Sequence, residues 1–384
     1  MRTDSPAAAG PHIGLWGRFD VASLGDLIGP RVFESEIRRR LPRVNVQTYA
    51  PLGPRHPVAL DGGSTAKALG AWSRRRTAEL ADETDCVVIG GGDVIHTHEA
   101  LFAADYGLSP EEVQRLRPSS FFIEGLGPSL ERRCPIAWNA VGVPFPFRGK
   151  EAARVRAAVG THRYLSVRDL PSKERLREAG VESGVEVVPD PILLAARAFS
   201  SEVLVRRLDY LKFMDWFPTS VEPIVVQGAG YLVPRARSIA GSLLRALRGR
   251  SLPIVLLETE SGRGEAEFLD AIAPHLGGAV FRIPSSAPLS DIVAVLAHAR
   301  VFVGTSMAAS LAAAAFGVPA IRLESDATRE ADAVTIVAGE EGLAASLRRL
   351  VASPATEGLP RAIEERLETH FDRLAEIAES AVMR

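Results

Sequence analysis

The sequence has few cysteines, no long apolar run and almost no net charge, and each shortage argues against a class of protein. Only two cysteines, Cys86 and Cys134, occur in 384 residues, and they lack metal-ligand spacing, so neither a disulfide scaffold nor a zinc site is expected. The longest apolar run, residues 307–316, falls short of the ~20 residues of a membrane span. A formal charge of −2 gives no overall attraction to nucleic acid or anionic membrane.

Common catalytic signatures are missing as well. The chain shows no Walker loop, no Ser/His/Asp triad and no His-Glu-x-x-His motif, and its first glycine turn lacks the Gly-x-Gly-x-x-Gly spacing of a dinucleotide site. The N-terminal residues lack the apolar core of a signal peptide. We therefore expect a cytoplasmic protein without a metal or resident cofactor.

Apolar runs alternate with amphipathic segments along the chain, which is typical of parallel sheets covered by helices. The rhythm weakens between about residues 193 and 222 and then restarts. The sequence thus predicts an α/β fold of two Rossmann-like lobes, 1–195 and 222–356, whose parallel sheets face a central cleft across a connecting segment, 196–221. A long amphipathic helix within 357–384 could fold back on the first lobe.

The most informative stretch spans residues 299–321. It predicts a buried strand, a turn, a helix of small residues and a second buried strand. Open α/β sheets bind ligands at the carboxyl ends of their strands, and the first amides of a helix suit a phosphate or carboxylate. The turn is therefore a candidate anion site, formed by Gly304, Thr305, Ser306 and Met307. A buried unit with no ligand is the alternative.

Two further turns follow predicted strands in the first lobe. In the loop after the first strand, Asp20 and Asp26 are expected to face the cleft, although an acid at a helix start is favoured without any function. The Gly90–His98 stretch could bind a polyhydroxy substrate through Gly91, Gly92, Asp93, His96 and His98. Solvent-exposed histidines are the alternative, and no third ligand completes a metal site.

Charged and amide side chains end other predicted strands. Arg168 could offer its planar guanidinium to a carboxylate or phosphate, while Asp169 is suited to cap the following helix. A structural ion pair with a residue such as Asp190 is the alternative for Arg168. In the second lobe, further cleft candidates are Gln227, Glu258 and Glu265, unless they form only a solvated acidic rim.

Taken in order, these motifs resemble the polysaccharide pyruvyl transferase family. The resemblance runs from about residue 12 to 323 and rests on Gly17-Arg-Phe-Asp20 with Leu24-Gly-Asp26, Val88-Ile-Gly-Gly-Gly-Asp93, Ser166-Val-Arg-Asp169, Val188-Pro-Asp-Pro191 and Val303-Gly-Thr-Ser306 with Gly317-Val-Pro319. It implies the two-lobed GT-B architecture, with an acceptor lobe followed by a donor lobe. It also implies transfer of a pyruvyl unit from phosphoenolpyruvate, a small anionic donor, to two hydroxyls of a saccharide or glycoconjugate as a ketal.

The resemblance also implies roles. Arg168 and the turn at Gly304–Met307 would bind phosphoenolpyruvate, and Asp26 or Asp93 would act as a carboxylate base. One departure stands out, because Ala308 occupies the position of a histidine that follows the turn in the family. Another acid, such as His96 or His98, would then be needed. The alternatives are a GT-B-type transferase that uses a nucleotide sugar or other activated donor, and a non-catalytic saccharide-binding protein.

Overall fold

The computed structural model describes residues 10–53, 66–124, 126, 128–159, 162–182, 184–260, 263–324, 334–338, 340–352 and 358–383. The described strands form two sheets, in which every neighbouring pair is parallel. The strands are β1 His12–Trp16, β2 Asn45–Ala50, β3 Lys67–Ala68, β4 Cys86–Gly90, β5 Ile136–Val141, β6 Tyr164–Val167, β7 Val185–Val187, β8 Ile224–Val226, β9 Ile254–Leu256, β10 Val280–Arg282, β11 Val301–Gly304, β12 Ala320–Glu324 and β13 Thr335–Ala338.

The strand order is β3-β2-β1-β4-β5-β6-β7 in the first sheet and β10-β9-β8-β11-β12-β13 in the second. Helices connect and cover the strands. They are α1 Leu24–Arg40, α2 Arg74–Asp82, α3 Glu99–Tyr106, α4 Pro110–Leu116, α5 Pro128–Glu131, α6 Lys150–Val159, α7 Leu170–Glu178, α8 Ala195–Ala198, α9 Ser201–Phe213, α10 Ala236–Ala246, α11 Glu265–Ile272, α12 Leu289–Ala297, α13 Met307–Ala315, α14 Glu340–Ala352 and α15 Arg361–Val382.

Both faces of the first sheet are buried. Alternate side chains of β4 enter two different apolar cores, Cys86 and Val88 on one face and Val87 and Ile89 on the other. This is the expected pattern for a parallel strand, whose successive side chains point to opposite faces that helices cover. The predicted α/β class with two Rossmann-like lobes is confirmed, whereas the predicted division at residues 195, 221 and 356 stays a prediction.

A single apolar core joins the two lobes. It includes Ile28 and Val32 of α1 together with Leu311 and Ala312 of α13. Polar contacts beside the cleft extend this junction, because the Leu24 amide donates to the carbonyl oxygen of Thr259 at 3.1 Å, and Ser23 forms an antiparallel bridge with Glu260. The two lobes therefore meet through both apolar packing and backbone hydrogen bonds.

The long helix α15 packs against α1 in the first lobe. The rings of Phe33 and Phe371 lie 6.3 Å apart between centroids, and the Arg40 guanidinium binds Asp372 at 2.7 Å. Glu36 lies within this contact and is almost completely buried. Its carboxylate accepts hydrogen bonds from Arg39 and Arg40, each at 2.8 Å, and lies 3.6 Å from Arg197.

Glu36→Ala is expected to lower the free energy of unfolding by about 3–5 kcal/mol, because it removes a buried carboxylate that accepts hydrogen bonds from two guanidinium groups and pairs with a third. Denaturant unfolding measures this change. Glu34→Gln is the control, since Glu34 forms an i,i+4 pair on a more exposed face of α1 and should change stability by less than about 1 kcal/mol. Equal stability changes in both variants would show that the Glu36 contacts contribute no more than a surface pair.

Candidate active site between the lobes

A cavity of about 330 Å³ opens between the carboxyl ends of strands from both sheets. This is where α/β proteins of this topology bind ligands. The cavity brings together most of the residues predicted from strand ends. These are Asp26, Gly91, Gly92, Asp93, Arg168, Asp190, Gln227, Glu265, Thr305, Ser306 and Met307, with Ala308 beside them.

Besides the two histidines, three predicted residues lie outside the cavity lining. Asp20 is buried and accepts hydrogen bonds from the Tyr106 hydroxyl at 2.6 Å and the Leu52 amide at 2.8 Å, so it fixes its loop. Gly304 ends β11 where a Cβ would lie 2.5 Å from the Gln227 side-chain oxygen. Glu258 also lies outside the lining.

The structure places neither predicted histidine in the cavity, contrary to the expectation for acceptor binding or proton donation. His96 is fully buried beside Phe102, with ring centroids 5.2 Å apart, and burial lowers its pKa to about 4. His98 is exposed and packs edge-on against Phe145 at 4.5 Å. The chain turns inward after Asp93, so the apolar run Val94 and Ile95 carries His96 into the core.

Asp26 lies in the first turn of α1 and is buried at the cavity wall. Burial raises the pKa of Asp26 to about 7, with Glu260 and Asp105 adding to the rise and the Arg18 guanidinium opposing it. The nearest approach between Arg18 and Asp26 is 3.9 Å, because Arg18 binds Asp105 more closely at 2.6 Å. Asp26 therefore carries a proton in a large fraction of molecules at neutral pH.

Gly92 makes room for the Asp26 carboxylate. Its φ of +59° is a left-handed conformation that favours glycine, and a Cβ at this position would lie 3.2 Å from Asp26 Oδ1. The glycine turn after β4 thus approaches the acid through backbone alone.

Arg168 follows β6 and points its guanidinium toward the cavity. Its Nη2 donates to Asp93 Oδ1 at 2.5 Å, and its Nε lies 3.6 Å from Asp169. Gly142 permits this arrangement, since a Cβ there would lie 2.1 Å from Asp93 Oδ1. Asp93, rather than the suggested Asp190, is therefore the closest ion-pair partner of Arg168.

Two other acids, Asp169 and Asp190, lie near Arg168. Asp169 accepts a hydrogen bond from the Ser172 amide at 2.7 Å and caps α7, as predicted. Burial raises the pKa of Asp190, while Arg168 opposes the rise. A substrate anion that binds Arg168 would thus meet a site already crowded with acidic groups.

The turn before α13 offers fewer free amides than predicted. The Gln227 side-chain oxygen accepts from the Thr305 amide at 2.7 Å and from the Ser306 amide at 2.9 Å. These two amides are therefore already satisfied by the protein. The amides of Met307 and Ala308, the first two residues of α13, have no intrahelical partner and are suited to an anion.

Glu265 holds Gln227 in this position. Its carboxyl group lies 2.6 Å from the Gln227 side-chain nitrogen and accepts from the Thr259 amide at 2.6 Å. Burial raises the pKa of Glu265 to about 7. The predicted cleft residues Gln227 and Glu265 thus shape the turn before α13. The Gln227 side-chain oxygen accepts hydrogen bonds from two amides of this turn.

Several cavity residues were not among the predicted site residues. They are Arg18, Asn139, Tyr231, Glu260 and Arg263. Arg18 lies within the Gly17-Arg-Phe-Asp20 motif and Glu260 lies two residues after the predicted Glu258, so attention to every polar position would have found both. Asn139 is the polar residue of an otherwise apolar strand, which was an available signal. Tyr231 and Arg263 gave none.

Among the described residues, no cluster of three His, Cys, Asp or Glu side chains is arranged to hold a metal ion. No described helix combines the length and apolar character that crossing a bilayer requires. Both cysteines are buried free thiols.

A model of the polysaccharide pyruvyl transferase family matches residues 29–326. The chain belongs to this family. The match contains the Gly90–Asp93 turn, Arg168 and the turn before α13, so the resemblance drawn from the motifs is confirmed for the pyruvyl transferase family. No curated protein matches the chain significantly.

Several solved structures share the fold of this member of the pyruvyl transferase family. A UDP-GlcNAc 2-epimerase from Methanocaldococcus jannaschii is 12% identical with a TM-score of 0.57, over 95% of this chain and 98% of the other. The epimerase from Neisseria meningitidis, bound to UDP-GlcNAc, is 14% identical with a TM-score of 0.52, over 94% and 99%. A glycosyltransferase from Rickettsia africae is 11% identical with a TM-score of 0.56, over 98% and 99%. At such low sequence identity, the structural similarity establishes only that the two-lobed fold is shared.

Proposed function

We propose that this protein transfers a pyruvyl unit from phosphoenolpyruvate to two hydroxyls of a saccharide, forming a cyclic ketal. The observation that carries the proposal is one cavity lined by Arg168 and Asp26 from the first lobe and by the start of α13 from the second. Phosphoenolpyruvate carries a carboxylate and a phosphate on one small carbon frame. A guanidinium and a helix start are complementary to these two groups.

Asp26 is the acid in this proposal. It replaces the histidine that the family has at the position of Ala308. Its raised pKa, about 7, suits proton donation at neutral pH. Asp93 is the base, since its side chain is about one-third exposed and can reach a hydroxyl group in the cavity. Two carboxyl groups in different environments can thus divide acid and base roles.

The proposed reaction balances with these groups. Asp26 protonates the methylene carbon of phosphoenolpyruvate, which makes the central carbon electrophilic. A saccharide hydroxyl attacks that carbon and passes its proton to Asp93. The bond between the central carbon and the phosphate oxygen then breaks, and its electron pair leaves with phosphate. The second hydroxyl closes the ketal, so one hydroxyl proton restores Asp26 through solvent and the other accompanies phosphate.

The test combines binding and turnover. Calorimetry should detect phosphoenolpyruvate binding to the wild-type protein, and phosphate release should require a saccharide with two neighbouring hydroxyls. A panel of hexoses, amino sugars and uronic acids supplies the acceptors. The proposal would be overturned if the protein does not bind phosphoenolpyruvate and releases no phosphate with any acceptor of this panel. Saccharide binding that Arg168→Ala leaves unchanged, without turnover, would instead favour a non-catalytic binding protein.

One observation favours a nucleotide-activated donor as the second candidate. Tyr231 lines the cavity while 59% of its surface remains exposed, which leaves an aromatic face on which a base could stack. Arg263 lies in the same wall and could meet a phosphate. Thermal stabilisation by UDP or UDP-sugars, without stabilisation by phosphoenolpyruvate, would select this candidate over pyruvyl transfer.

A further inference from the structure

We propose that His370 of α15 is a positioning residue, which orients Asn139 so that its side-chain amide donates a hydrogen bond to the donor anion bound at Arg168. The inference rests on the proposed function, because it assigns Asn139 to the phosphoenolpyruvate site. It goes beyond the region that the family match covers, since α15 begins after residue 326.

Asn139 reaches the cavity from the middle of the first sheet. It lies on β5, in register with Gly90 of β4, and both residues line the cavity. A Cβ at Gly90 would lie 3.4 Å from Asn139 Nδ2, so the glycine leaves open the space that this amide faces. The Asn139 residue is otherwise almost fully buried. A buried amide without a full set of partners is costly, and a bound oxygen would satisfy it.

The backbone of β5 is bent at this point. Ala140 has a φ of +48°, a left-handed conformation that strains a non-glycine residue. The pairing of β5 with β6 is irregular between Trp138 and Val141. The Ser166 hydroxyl holds the bend, because it accepts from the Ala140 amide at 2.8 Å and donates to the Trp138 carbonyl at 2.5 Å. Such strain persists where the surrounding structure fixes it, often at binding sites.

His370 secures the other end of the Asn139 side chain. Its Nε2 lies 2.7 Å from Asn139 Oδ1, and its Nδ1 lies 2.7 Å from the Tyr164 hydroxyl. Burial lowers the pKa of His370 to about 3, so the imidazole is neutral and has one donor and one acceptor nitrogen. Because Asn139 Oδ1 can only accept, Nε2 carries the proton and Nδ1 accepts from Tyr164. This series of hydrogen bonds, from Tyr164 through His370 to Asn139 Oδ1, directs Asn139 Nδ2 away from His370.

The position of Arg168 identifies the ligand group. Arg168 follows β6, the strand that pairs with β5, and its side chain shares the cavity with Asn139. Anionic oxygens attracted by Arg168 are strong acceptors for a neighbouring amide. The geometry therefore assigns Asn139 to phosphoenolpyruvate binding, with His370 acting through it.

The experiment measures the Kd of phosphoenolpyruvate by calorimetry for the full-length protein. Asn139→Ala and His370→Phe should each weaken binding about tenfold, the value of one hydrogen bond to a charged group. The double variant should weaken it by no more than either single variant, because both remove the same interaction. His370→Gln restores a donor and should recover most of the affinity. Thr369→Ala, an exposed neighbour on α15, should leave the Kd unchanged.

Three results separate the inference from the proposed function. If the wild-type protein does not bind phosphoenolpyruvate, the proposed function is overturned and this inference with it. If the wild type binds and His370→Phe changes only the melting temperature, the positioning role is overturned while the function stands. Should His370→Phe fail to fold, Tyr164→Phe provides the decision, because it removes only the hydroxyl that donates to His370 Nδ1 and should weaken phosphoenolpyruvate binding, although by less than Asn139→Ala does. An unchanged Kd in both Tyr164→Phe and Asn139→Ala would overturn the inference.

Discussion

Asp26→Asn is expected to lower kcat for pyruvyl transfer by about 10²–10⁴-fold, the usual contribution of a positioned general acid. Asparagine keeps the shape of the side chain and removes its acidic proton. The affinity for phosphoenolpyruvate should change little, because Arg168 and the start of α13 bind the donor. Asp372→Asn is the matched control, since Asp372 lies on the exposed face of α15, and 61% of its side chain is accessible.

The pH profile of the wild-type protein provides a second measurement. The pKa of Asp26 is about 7, and the reaction requires its protonated form. kcat should therefore hold below this pH and fall as the pH rises through it, by about tenfold for each further unit. A flat profile between about pH 6 and 9, or an active Asp26→Asn variant, would remove Asp26 from the acid role.

Arg168→Lys is expected to weaken phosphoenolpyruvate binding by about tenfold or more, because an ammonium group cannot copy the planar, bidentate guanidinium. The lysine would also lose the short contact with Asp93, and so leave that carboxylate less well placed. Calorimetry measures the affinity, and steady-state kinetics should show a raised KM.

The matched control is Arg177→Lys on α7. Arg177 is exposed and pairs with the nearby Glu174, so this substitution should leave donor affinity unchanged. An equal affinity in the Arg168→Lys and wild-type proteins would exclude Arg168 from the donor site. A loss of stability without a loss of affinity would instead assign it to the ion pair with Asp93.

The sequence predicted the lobes well because their strands are continuous apolar runs. Strands β4 and β11 stand out because charges and turn residues interrupt the apolar pattern at their ends, Asp85 and Gly91 for β4 and Arg300 and Thr305 for β11. Asp26 and Arg168 were found by one rule, that parallel strands end at a common edge. The rule needs no knowledge of side-chain direction.

Features that depend on side-chain direction were beyond the sequence. His96 has the same chemistry as a surface histidine, and only the inward course of the chain after Gly92 buries it. Gln227 lines the cavity, but the sequence did not reveal that its side-chain oxygen accepts from the amides of Thr305 and Ser306. The contact between His370 and Asn139 joins residues 231 positions apart, which no local pattern reveals.

Pro30 weakens the helical hydrogen bonding around Asp26, the proposed acid. Proline has no amide hydrogen, so Pro30, inside α1, cannot donate to the Asp26 carbonyl four residues earlier. The first turn of α1 is therefore held less by its own helix and more by the bond from Leu24 to Thr259 of the second lobe. The turn that carries Asp26 is thus anchored to the second lobe as well as to its own helix. The position of the proposed proton donor therefore depends on the contact between the lobes.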